Sequence, residues 1–160
     1  MNPIEVLENN HQLVIKTVED LPESAWEVPG VCGEWSVKDV IAHLAAYELA
    51  LIDMLKTFQG EQPSPYVLRM IDNFEAFNAD TMKSRRYGTA QQVLNDYQEA
   101  QIQSSSLLEQ IPLEKVEQKG TMPWYRPERS LADAIYNLSQ HARAHCEEIA
   151  RWREKEQDAH

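Results

Sequence analysis

Apolar residues recur at intervals of three and four through most of the 160 positions, and few runs alternate in the way that marks strands. The first stripe, Ile4, Leu7, His11, Val14, Ile15 and Val18, predicts a helix from Pro3 to about Leu21, with proline where its missing N–H costs little. "PESAWEVPGVCGEW" at 22–35 is rich in proline and glycine and reads as a loop. A second helix opens at Ser36, which with Asp39 fits a reciprocal capping box, flanked by Trp35 and Val40 as a hydrophobic staple. Its stripe, Val40, His43, Leu44, Tyr47, Leu51, Met54 and Leu55, carries it to about Phe58, before Gly60. "EQPSP" at 61–65 interrupts the chain, and 66–83 predicts a third helix with Val67, Met70, Ile71, Phe74 and Phe77 inward, ended by Gly88. Thr89 caps a fourth, about 90–110, with Val93, Leu94, Tyr97, Ile102 and Leu108 inward. Pro112 closes it, and 112–129, containing "GTMPWYRPE", reads as a long connection able to cover one end. Ser130 and Asp133 repeat the capping box and open a last helix that runs to about Lys155.

Five helices with no internal repeat predict one all-α domain over 1–160, an up-and-down type of bundle. Four long helices make the core, and the fifth packs across or alongside.

The formal net charge of −11 changes the picture of partners. An acidic surface repels phosphate backbones, and the densest basic cluster, "KSRRYG" at 83–88, reads as a solvated helix end, so nucleic acid is excluded as a partner. The most apolar stretch, 40–55, is interrupted by His43, Glu48 and Asp53, and is too short and polar to span a bilayer. "MNPIEVLENN" does not read as a signal peptide. Cys32 and Cys146 form no C-x-x-C pattern and suit a reduced compartment, so a cytoplasmic location is expected.

The histidines carry the chemistry. The last helix buries Leu131, Ala134, Ile135, Leu138, Ala142, Ile149 and Trp152, and the same face holds His141 and His145. That spacing puts two imidazoles about 40° apart around the axis and about 6 Å apart along it, close enough to converge on one ion. His43 lies about two turns past its cap on the inner face of another long helix, where it can reach the same layer. A single histidine on an apolar face is usually a core residue with a hydrogen-bond partner. Three of them leave up to six ring nitrogens to satisfy, and one metal ion resolves three. Zinc or nickel is expected foremost, with iron, manganese and copper also accommodated. Three imidazoles without a further carboxylate or thiolate describe an open site, whose vacant position takes water or substrate. Cys146 turns about 100° away from His145 and reads as packing. Glu147 and Glu148 read as surface charges or as partners of the ligand imidazoles. His11 is expected to be a boundary residue, Glu48 to face solvent, and the terminal His160 to be disordered.

"GEWSVKDVIAHLAAYE" (33–48) followed by "YNLSQHARAHCEEIARWRE" (136–154) resembles the DinB-like (YfiT-like) superfamily. The shared pattern is Trp-Ser, then a helix with one histidine before leucine, then a late helix with H-x-x-x-H, in that order over essentially the whole chain. The resemblance implies a four-helix bundle with up-down-down-up connection and a divalent metal held by His43, His141 and His145. It also implies likeness to metal-dependent hydrolases and to S-transferases and isomerases that use a low-molecular-weight thiol, bacillithiol or mycothiol, and to homodimers. "TMPWYRPERS" (121–130) is similar to the "PWY" segment of the colibactin self-resistance branch, which keeps the fold but lacks the three histidines. This chain keeps all three and so falls on the metal-binding side. Tyr47, Trp124, Tyr125 and Arg126 are expected either to line a pocket or, for the last three, to staple the loop. Three functions fit: a metal-dependent hydrolase or thiol transferase acting on a small molecule, a binding or sequestration protein on the same scaffold, and a metal-free helical interaction module. No general acid or base is assigned.

Overall fold

Short polar side chains set where the helices begin. In a computed structural model, which describes residues 2–85 and 88–158, Asn2 caps α1 (Pro3–Val18) by accepting the Ile4 N–H at 2.8 Å. Helix α2 (Val37–Lys56) opens on the Ser36–Asp39 box, with hydrogen bonds of 3.2 and 3.0 Å, and ends in a 3-10 turn closed by Gly60 at φ 94°. Thr89 and Gln92 form a further box at the start of α5 (Ala90–Glu109), and Ser130 and Asp133 another at α7 (Leu131–Asp158). Each such cap is worth about 1 kcal/mol.

Three expectations need correction. The helix predicted over 66–83 is two, α3 (Pro65–Asp72) and α4 (Phe74–Arg85). Asn73 between them has extended backbone, and its side chain accepts the Ala76 N–H at 3.0 Å, offering the chain a new cap instead of a continued helix. Phe74, expected inward, is therefore 47% exposed. Second, 112–129 is ordered: it holds α6 (Leu113–Glu117), a buried Met122 and a Gly120 N–H to Arg129 carbonyl hydrogen bond of 3.1 Å. The described residues thus form seven α-helices rather than five. Third, Ile102 is 68% exposed, because the buried face of α5 runs through Val93, Tyr97, Ala100, Ser104 and Leu108. The cluster at 83–88 lies partly, and His160 wholly, outside the described residues.

No strand occurs among the described residues; the one bridge pairs Cys32 with Trp35. No helix there is long and apolar enough to cross a membrane. The long helices α1, α2, α5 and α7 frame the bundle, α2 packing chiefly on α5 and α1 on α7. Helices α2 and α5 run in the same direction: Lys38 Nζ donates to Gly88 O just before α5, Ser104 pairs with Glu48, and Gln59 pairs with Gln110 beyond both ends. Helices α1 and α7 run together the other way, with Arg153 Nη1 on Thr17 O near both C-termini. The core is two apolar clusters, one containing Leu51, Met54 and Ile135 and the other Val40, Ile41 and Ile149. Along α2 the changeover falls between Ala45 and Ala46, and along α7 between Leu138 and Ala142. The polar side chains of interest gather at this seam.

Candidate metal centre

Because α2 and α7 run in opposite directions, His43 near the start of one meets the middle of the other. His141 Nε2 lies 3.1 Å from His43 Nε2 and 3.2 Å from His145 Nε2. The rings stand edge to face, with centroids 4.7–5.1 Å apart. Ligand nitrogens about 2.0–2.1 Å from one ion are themselves separated by about 2.9–3.4 Å, so these spacings fit a shared metal. The proton count fits too. A neutral imidazole has one N–H, and three Nε2 atoms facing one another cannot all be satisfied among themselves. His43 Nδ1, which would carry the proton when Nε2 holds a metal, is buried without a hydrogen-bond partner, so the aromatic neighbours rather than a polar group hold this ring.

Electrostatics keeps the rings neutral and their lone pairs available. Burial lowers the His43 pKa to about 3, helped by the neighbouring His141 and His145. Burial, then His145, lowers His141 to about 4 against an opposing pull from Glu148. Burial also lowers His145, again opposed by Glu148. The Glu148 Oε1 lies 3.0 Å from His145 Nδ1, at ion-pair distance though off the axis of a hydrogen bond. A carboxylate there favours the proton on Nδ1 and leaves the Nε2 lone pair toward the other rings.

Aromatic rings hold the cluster in place. Trp35, in the loop before α2, stacks on His145 at 6.3 Å and packs on His43 at 5.1 Å. Tyr47 lies 4.9 Å from His43 and 5.1 Å from His141, and its hydroxyl donates to Asn78 Oδ1 at 2.8 Å. Cys32 forms a second group with His145 and Glu148 in which the three ligand atoms lie within 4.8 Å of one another. Burial and then the Glu148 carboxylate push the Cys32 thiol up to about 11, so it stays protonated.

A cavity of about 320 Å³ opens beside the cluster. Of the three histidines only His141 lines it, together with Tyr47 and Tyr125. Trp124 and Arg126 do not: Trp124 packs against the core beside a separate groove at Pro65 and Leu68, and the exposed Arg126 sits 5.8 Å over the Tyr125 ring.

Glu48 and His11 depart from expectation. Glu48 is 5% exposed rather than facing solvent; it accepts from Ser104 Oγ at 2.8 Å and lies 2.6 Å from His11 Nε2. Helix α2 is covered on nearly every side, so it has no wet face for Glu48 to occupy. His11 is correspondingly buried within α1, outside the three-histidine group. Cys146 is buried among apolar residues and Glu147 is exposed.

The profile of the DinB superfamily matches residues 7–149. The chain belongs to the DinB superfamily. No curated protein and no solved structure matches it. In this DinB-superfamily chain the matched span contains His43, His141 and His145 and also Cys32 and Glu148. Sequence reasoning missed Cys32 and Asn78, which reach the site from a loop and a secondary helix. Only the i,i+3 spacing of His145 and Glu148 carried an advance signal.

Proposed function

We propose that His43, His141 and His145 hold one divalent transition metal, zinc or nickel foremost, and that this centre acts on a small molecule by hydrolysis or thiol transfer. The observation that carries the reading is the convergence of three neutral Nε2 atoms at 3.1–3.2 Å steps beside a cavity. A metal held there supplies Lewis acidity toward an oxygen or sulfur of the substrate. The chain's residues do the rest. Glu148 orients His145, Trp35 braces His43 and His145, and the Tyr47–Asn78 hydrogen bond fixes a hydroxyl at the cavity wall. The apolar surroundings of the rings limit water around them, which strengthens every electrostatic interaction at the centre.

A specific observation favours a second reading, sequestration without turnover. No Asp or Glu among the described residues lines the cavity, so the chain offers no carboxylate there as general base. Elemental analysis of protein purified without a histidine tag should find about one transition metal per chain, a ratio set by one shared site. Far less than that, with added-metal affinity unchanged in His43→Ala and His145→Ala, would sink the metal centre. Metal-dependent turnover of small esters, amides or thiol adducts supports the enzyme; a compound bound tightly and released unchanged supports sequestration.

A further inference from the structure

The cavity beside His141 has its own chemistry, and this inference rests on the metal-centre reading. At about 320 Å³ it lies within the range of small-molecule pockets, about 300–1,000 Å³. Met54, Met70 and Leu138 give it apolar, adaptable walls. Among the described residues no Lys, Arg, Asp or Glu lines it. Its side-chain polar groups are neutral: the Tyr47 and Tyr125 hydroxyls, the His141 ring and the Asn78 amide, with the exposed Asn137 at the mouth. Tyr47 occupies the Asn78 Oδ1, which leaves the Nδ2 hydrogens to donate. At the rim Phe74 is 47% exposed and parallel to the Tyr47 ring, with an interplanar angle of 13°. An exposed aromatic edge leading into an apolar chamber suits a flat, apolar guest.

We infer that the cavity takes an uncharged, largely apolar small molecule bearing one neutral acceptor, an amide or carbonyl oxygen, which Asn78 binds beside His141. A substrate carrying a carboxylate, sulfonate or phosphate would lose its hydration against walls that hold no lysine or arginine among the described residues, and the one cation within its reach would be the metal itself. The formal charge of −11 on the chain opposes such an anion further.

Two probes of equal size test this, 2-naphthamide and naphthalene-2-sulfonate. Both are titrated calorimetrically into the full chain, first metal-free so that the walls alone are read and then loaded with cobalt(II), in salt of about 0.15 M so that distant charges are screened. In the metal-free chain one naphthamide should bind, the sulfonate should bind about ten-fold or more weakly for want of a cation in the walls, and Asn78→Leu should weaken the amide several-fold. Asn137→Trp, an exposed change that fills the mouth, should abolish binding while cobalt content holds. Equal or tighter sulfonate binding to the metal-free chain, no saturable naphthamide binding, or full affinity in Asn137→Trp would overturn the proposal. Bound naphthamide should also perturb the cobalt visible spectrum; an unperturbed spectrum at saturation would separate the cavity from the centre and overturn it as well. Absence of any cobalt spectrum before the probe is added marks failure of the metal centre itself, and is read independently of the naphthamide titration.

Discussion

Glu148 decides which nitrogen of His145 faces the other two rings. With its Oε1 at 3.0 Å from Nδ1, the carboxylate stabilises the tautomer whose Nε2 is a free lone pair. Removing it as Glu148→Ala should weaken metal binding about 10–100-fold, measured by competition with a chromogenic chelator. Glu148→Gln, which keeps an oxygen of the same reach near Nδ1 but loses the charge, should recover part of that loss. Equal affinities in all three proteins would show that Glu148 does not position the ring. At this scale helical spacing was a guide to residues on one helix: it set His141 and His145 on one face, while Glu148, left between surface charge and imidazole partner, lies one turn on from His145. It was blind to Cys32 and Asn78, because nothing local says where a loop thiol or a half-buried amide comes to rest. His43 fell between the two cases, since its face was readable but the rotation of α2 against α7 was not.

At the scale of elements, the capping boxes were legible because both partners lie within four residues, and Ser36, Thr89 and Ser130 all begin helices as expected. The break at Asn73 was not. Hydrophobic period continues across it through Val67, Met70 and Phe77, all buried, so the stripe reads as one helix. What ends α3 is a competition between the helical ladder and the hydrogen bond from the Ala76 N–H to Asn73 Oδ1. Asn73→Ala should therefore destabilise the protein by about 1 kcal/mol in urea unfolding, whereas Asn73→Ser, which keeps a capping oxygen, should cost a few tenths. If both variants match the parent, the cap does not hold the break. The same break turns Phe74 to the cavity rim, so cap and cavity are linked through one residue.

Across the whole molecule, helix α2 is the central element, touched by α3, α4, α5 and α7. A stripe read from sequence presumes one wet face, and that assumption misplaced Glu48. Its contacts with His11 on α1 and Ser104 on α5 join three long helices through buried polar atoms. Truncating one member leaves the other a buried polar group without its partner, which typically costs about 1–3 kcal/mol. Glu48→Ala should lose stability on that scale in urea unfolding while metal stoichiometry is kept, and the double change Glu48→Leu with His11→Phe should restore much of it. A loss below about 1 kcal/mol in the single variant would mean that the pair carries little of the fold's stability.

The distance along the chain between His43 and His141, ninety-eight residues, bears on how the protein is made. During synthesis α7 follows every other described helix, so between the emergence of α2 and that of α7 a nascent chain offers the His43 imidazole with neither partner to meet it. The three-nitrogen pocket comes into existence only as α7 docks. Loading of the proposed metal is thereby reserved for a chain in which α7 has docked, and a chain stopped short of α7 has one of the three imidazoles.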